Sequence, residues 1–204
     1  MNFDRIVDYL MENKHIVWMI NVFGVLLLCA VVYIRIYFQN KEVKNVQTIY
    51  NNFHYAEAII SASKLKSKYF VIPAIPNART NMIHDQLCLI IASSALRTGD
   101  HAAFRKNVSE VCCAKQKFIS EMWLTVYYLS QNDEDTAKTH YELFRQTPNT
   151  EKKIIAETFL ESLWAYRKKD YERSVELITS VKKDITNPVM KDFADDMIKK
   201  QLFS

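Results

Sequence analysis

The sequence predicts an all-α protein: one N-terminal transmembrane helix followed by an α-solenoid of helical hairpins. Three observations carry this expectation. Residues 16–34 are uncharged and nearly all apolar, only two glycines (Gly24 and Gly99) occur in 204 residues, and three segments of like layout end at Asp100, Asp133 and Asp170. Sheet-rich and doubly wound folds use glycine for turns, bulges and phosphate loops, so its scarcity favours helices joined by short connections. The four prolines, Pro73, Pro76, Pro148 and Pro188, all fall between periodic segments, where a residue that cannot continue a helix belongs. With 49% hydrophobic and 25% charged residues, the chain can bury a core and is not a disordered tail.

Residues 1–14 read as an N-terminal tail and residues 15–38 as the transmembrane helix. The apolar run approaches the roughly 20 residues needed to cross a hydrocarbon core of about 30 Å. Trp18 stands near one end and Tyr33 and Tyr37 near the other, where amphipathic rings favour the interface. Lys14 and Arg35 bracket the run and can reach the headgroups. A cleaved signal peptide needs a basic start, a shorter apolar stretch and a small-residue cleavage site. Here Asp4, Asp8 and Glu12 balance Arg5, Lys14 and Arg35, and no such cleavage site follows. Leu27-Leu28-Cys29-Ala30 hints at a lipoprotein site, but bulky Leu28 stands where a small residue is expected. Arg5 and Lys14 precede the span while Arg35, Lys41 and Lys44 follow it, a slight vote for a cytoplasmic C-terminal side.

Residues 39–72 are expected to form a linking helix and loop, the helix running from Gln39 to about Ser63. Val43, Val46, Tyr50, Phe53 and Ile60 fall on one stripe, with Ile49 and Ala56 beside it. So narrow a stripe suits either a coiled-coil seam or packing against the next helices, and Glu57 favours the second by interrupting it.

Residues 77–204 carry the repeats. Around Asp100, Asp133 and Asp170 an apolar helix leads through a short polar turn into an amphipathic helix. The aspartates are 33 and 37 residues apart, close to the 34-residue tetratricopeptide period. Ala137 and Ser174 each lie four residues after an aspartate, and Thr125 and Ser162 lie twelve residues earlier, with Ala92 at the matching place in the first repeat. All five are small enough for close helix crossing, and Gly99 completes the predicted repeat-packing set. Asp170-Tyr171-Glu172-Arg173-Ser174 reads much like the Gly-Asp-Tyr-Glu-Lys-Ala turn of the tetratricopeptide consensus. The first repeat departs from the pattern, with Phe104 where a small residue is expected. Residues 189–202 would close the stack as a C-terminal capping helix, because such hairpins bury their apolar faces only by stacking.

This layout resembles the bacterial single-pass inner-membrane proteins with a tetratricopeptide-like domain, typified by the ancillary subunit of the SecYEG translocon. The resemblance covers nearly the whole chain through the order of its parts. It is carried by the tail, the aromatic-ended span, the stretch from Leu89 to Asp100 and the ending that starts at Pro188. It implies a cytoplasmic N-terminus, a periplasmic C-terminal domain, and translocon subunits or envelope chaperones as protein partners.

The remaining chemistry is bland. A net charge of +4 with acids interleaved throughout describes a solvated surface rather than a nucleic-acid stripe. Lys152 and Lys153, beside Glu151 and Glu157, are typical of it. His15, His54, His84, His101 and His140 are scattered, and no HExxH, CxxC, phosphate loop or nucleophile elbow occurs. Cys88 can pair with Cys112 or Cys113 only if helices bring them together, and buried thiols are the default. Asn107-Val108-Ser109 matches a glycosylation triplet of a kind common by chance. No catalytic, cofactor or metal residue is therefore expected. The expected function is a membrane-anchored protein-interaction module; the alternative is a self-associating scaffold with a juxtamembrane coiled coil.

Overall fold

A computed structural model of the chain describes residues 14–69, 71, 78–147 and 151–202. The predicted tail up to Asn13, the prolines Pro73 and Pro76 with their loop, and Pro148 lie outside the described residues. Among the described residues every regular element is helical: α1 (Lys14–Asn51), α2 (Tyr55–Lys66), α3 (Arg79–Thr98), α4 (His101–Ser109), α5 (Ala114–Ser130), α6 (Glu134–Arg145), α7 (Glu151–Arg167), α8 (Tyr171–Val181) and α9 (Pro188–Leu202). Two compact units divide the chain, Met1–Glu42 and Val43–Ser204.

The first unit holds most of α1. This helix is long and apolar enough to cross a membrane, and its apolar stretch is not buried by other parts of the protein. Trp18, Tyr33, Arg35 and Tyr37 are all exposed. Side chains such as Phe23, Leu26 and Leu28 would be costly to leave in water, so this helix needs a nonpolar surrounding that the protein itself does not supply.

In the second unit, consecutive helices pack closely: α2 with α3, α3 with α4, α5 with α6, and α7 with α8. The leading helices also touch in series, α3 on α5 and α5 on α7. α3 is buried nearly all round from Leu87 to Leu96, consistent with an apolar run that has no polar face. The amphipathic α6 and α8 bury only a stripe, Ala137 with Phe144 and Ser174 with Ile178. Trp123, Phe104, Phe144 and Phe159 are the largest of the fully buried side chains.

Three turns share one hydrogen-bond pattern, and it explains the aspartates. Gly99, Asn132 and Lys169 take left-handed backbone, with φ of 80°, 62° and 63°. The following N–H groups of Asp100, Asp133 and Asp170 donate to the carbonyls of Ala95, Tyr128 and Ala165 at 2.8, 3.0 and 3.0 Å. Each thereby closes the end of one helix. Each aspartate carboxylate then accepts the N–H three residues on, from Ala103, Thr136 and Arg173 at 3.0, 3.1 and 3.2 Å, and so caps the next helix. Gly99 is accordingly not a packing residue. It is exposed, with open space where a Cβ would stand, and it serves through its positive φ. Ala92, Thr125, Ala137, Ser162 and Ser174 are fully buried. Ser174 Oγ donates to the Ser162 carbonyl at 2.9 Å, so these two small residues meet directly across the α7–α8 pair.

The same backbone turn, without a side-chain cap, occurs once more, where a continuous helix is expected. α1 stops at Asn51; Phe53 is left-handed at φ 64°, and the His54 N–H donates to the Ile49 carbonyl at 3.3 Å. Breaking the helix here resets its phase. Val46 and Tyr50 are buried, but Phe53 and Ile60 are exposed, and α2 buries Tyr55, Ala58, Ala62 and Leu65 instead. No continuous seam runs from Val43 to Ile60.

α9 does more than follow α8. It also touches α7 and reaches back to α3. Arg97 on α3 bonds Asp192 at 3.3 Å and Asp196 at 2.9 Å, and its guanidinium lies 5.5 Å from the Phe193 ring centre. Tyr55 on α2 donates to the same Asp192 at 2.6 Å. The last helix thus ties the beginning of the unit to its end.

Candidate functional site

Because α3, α5 and α7 lie side by side, their shared face and the segment before α9 enclose a groove of about 700 Å³. Its apolar lining comes from Phe118, Ile119 and Met122 on α5 and Ile155 and Ala156 on α7. Phe118, Ile119 and Ile155 are only half-buried, so apolar surface remains for an incoming group.

The polar groups of the groove are held in place by one another. Gln86 Nε2 on α3 donates to Gln47 Oε1 on α1 at 3.1 Å. The Tyr50 hydroxyl lies 2.8 Å from Ser93 Oγ and donates to Asn187 Oδ1 at 3.2 Å. That same Oδ1 accepts the Met190 N–H at 3.1 Å, which fixes the start of α9 beside the groove. Burial pushes the Tyr50 phenol above its ordinary range, so it stays a neutral donor. An apolar floor with a few oriented amide groups can hold nonpolar side chains and pair with peptide backbone.

A second concavity of about 700 Å³ lies against α6, α7 and α8. Its lining is mixed in charge, with Glu134, Lys138, Glu161 and Arg173 among it. It offers less apolar area than the α3–α5–α7 groove, which is therefore the better candidate for binding.

The histidines and cysteines are not as scattered as their spacing suggests. His140 Nδ1 lies 2.7 Å from Glu121 and its ring stacks on Tyr128, which makes it a packing residue between α5 and α6. His84 and Cys88 stand one turn apart on α3 and meet Glu110, while the neighbouring Asp85 meets Cys112 and Cys113. None of the four cysteines is in a disulfide. Burial pushes the Cys88 and Cys113 thiols up to about 12, so neither is a ready nucleophile. Burial also acts to raise Glu110, but the Lys66 ammonium, together with His84 and Lys106, outweighs it and holds that carboxyl below its ordinary value. Asn107, of the glycosylation triplet, is buried and accepts from Lys66 at 2.6 Å.

Of the groove residues, Tyr50 and Pro188 stood out in the sequence, but as a helix stripe and a helix start rather than as groove lining. Phe118, Ile119 and Ile155 look like ordinary core positions, and only the side-by-side packing of three helices marks them. The signal for the α3 cluster was present, since His84 and Cys88 are four residues apart on a helix face. Comparison of the chain with protein-family models, with curated proteins and with solved structures gives no match.

Proposed function

We propose that this chain is a membrane-tethered protein-interaction module whose second unit is a tetratricopeptide-like α-solenoid, holding polypeptide in the α3–α5–α7 groove beside the membrane. The observation that carries this reading is the groove itself, an apolar floor on α5 and α7 flanked by the amides of Gln47, Gln86 and Asn187. The shared turn pattern supports the repeat reading, because hairpins that start and stop alike stack alike. The occupant is a segment that inserts a few apolar side chains, as an amphipathic helix or extended strand does.

The setting follows from the resemblance to the ancillary translocon subunit. The chain would lie in the bacterial inner membrane with its second unit in the periplasm, meeting translocon subunits, envelope chaperones or emerging polypeptide. The scaffold alternative has less behind it, since Val46 and Tyr50 are buried within the chain's own core.

Site-specific photocrosslinking tests the proposal. A photoreactive residue at Ile155 or Phe118 should yield adducts with translocon, chaperone or unfolded secreted polypeptide in native membranes, identified by mass spectrometry. The same probe at Thr139, exposed on α6, should yield few. Equal labelling from both faces would contradict the groove reading, and a homodimer adduct as the main product would favour the scaffold.

A further inference from the structure

The three cysteines outside α1 all gather at one corner, where α3 passes the end of α4 and the turn into α5. Cys88 Sγ lies 3.9 Å from His84 Nε2 and 3.9 Å from Glu110 Oε2, and those two atoms are 3.8 Å apart. A point equidistant from these atoms lies about 2.2 Å from each in their plane and about 2.4 Å from each at a tetrahedral apex, close to the 2.0–2.3 Å range of zinc bonds to nitrogen, oxygen and sulfur. An i, i+4 pair on a helix plus a third donor from a neighbouring element is also a common way to assemble metal ligands.

The surroundings match as well. The other ring nitrogen of His84, Nδ1, faces Asp85 Oδ1 at 3.6 Å. A carboxylate in that place orients a metal-binding imidazole and fixes its tautomer. Asp85 is itself fully buried and held by backbone donors. The Cys113 N–H reaches its Oδ2 at 2.6 Å, and the Cys112 N–H lies 3.2 and 3.1 Å from its two oxygens. Asp85 is thus committed to the turn and leaves His84, Cys88 and Glu110 as the ligand set.

We propose that His84 Nε2, Cys88 Sγ and Glu110 Oε2 form a zinc site with its fourth position open to water or a donor from outside the chain. Zn²⁺ displaces the Cys88 thiol proton to solvent as the metal–sulfur bond forms, with no change of oxidation state. The thiolate and carboxylate then balance the charge of the ion. Two local adjustments are needed. Sγ is also 3.6 Å from His84 Nδ1, so the ring turns to aim Nε2 at the ion. The Lys66 ammonium, 2.7 Å from Glu110 Oε2, swings outward on its flexible stem.

The test uses the full chain, purified in detergent, reduced, stripped with a chelator and titrated with Co²⁺ and then Zn²⁺. One equivalent of Co²⁺ should give the thiolate-to-cobalt band and the visible bands of a tetrahedral site, and one equivalent of Zn²⁺ should remove them. Cys88→Ser should abolish the thiolate band, and His84→Gln or Glu110→Gln should weaken binding at least about tenfold. Cys112→Ser with Cys113→Ser should keep the band, and Lys66→Met should tighten binding by removing a competing cation. Far-UV circular dichroism identifies variants that have lost their helices, and Glu110→Gln, at a partly exposed position, carries the test if Cys88→Ser does not fold. The proposal is overturned if the native chain gives no thiolate band, if the band survives Cys88→Ser, or if it disappears only with Cys112 and Cys113.

Discussion

Single side chains at the turns carry much of the local order. Asp133 caps α6 with its carboxylate, so Asp133→Ala should lower unfolding stability by about 1 kcal/mol in a denaturant titration. Lys169 occupies a left-handed position that Gly99 fills in the first turn, at φ 63° against 80°. Lys169→Gly should therefore stabilise the unit by about 1 kcal/mol, and Gly99→Ala should cost a similar amount. Lys153 shows what a residue-level reading of sequence cannot reach. In sequence it belongs to a solvated mixed-charge stretch, yet it is buried, and Nζ donates to the carbonyls of Arg145 and Thr147 at 2.7 and 2.6 Å. Its role depends on the carbonyls at the end of α6, which no local pattern around residue 153 encodes. Lys153→Met should strand those carbonyls and cost about 2 kcal/mol in the same titration.

Elements were legible where their period and punctuation agreed. The aspartates mark the starts of α4, α6 and α8 because a capping carboxylate is a local, sequence-encoded device. The break at Phe53 was not legible, since Phe is a poor residue for positive φ and nothing there resembles the Gly-Asp or Asn-Asp turns. Tertiary packing imposes it: Tyr50 and Tyr55, on either side of the break, are tied to Asn187 and Asp192. The role of α9 was likewise only half legible, because its amphipathic period shows that it packs but not on what. Its clasp to α3 runs through Arg97, a partly exposed cluster that contributes no more than about 1 kcal/mol. Arg97→Ala should accordingly speed amide hydrogen exchange in α9 while leaving α5 protected.

On the largest scale, the molecule divides into an apolar helix and a unit with its own core. The first part was the plainest reading of the sequence, because hydropathy over about 20 residues depends on composition alone. The groove was not readable, because its lining from α1, α3, α5, α7 and residues 183–190 is distant in sequence and adjacent only after packing. If α1 spans a membrane, Leu27→Arg should cost about 3 kcal/mol of insertion free energy, seen as more protein released from membranes by alkaline extraction. In the proposed setting, a one-helix tether holds the second unit outside the cytoplasm. A paired reporter at the C-terminus tests it most directly, using alkaline phosphatase, active only outside the cytoplasm, and a fluorescent protein that matures only inside. An active phosphatase and a dark fluorescent fusion are expected; a bright fusion with inactive phosphatase would contradict a periplasmic second unit.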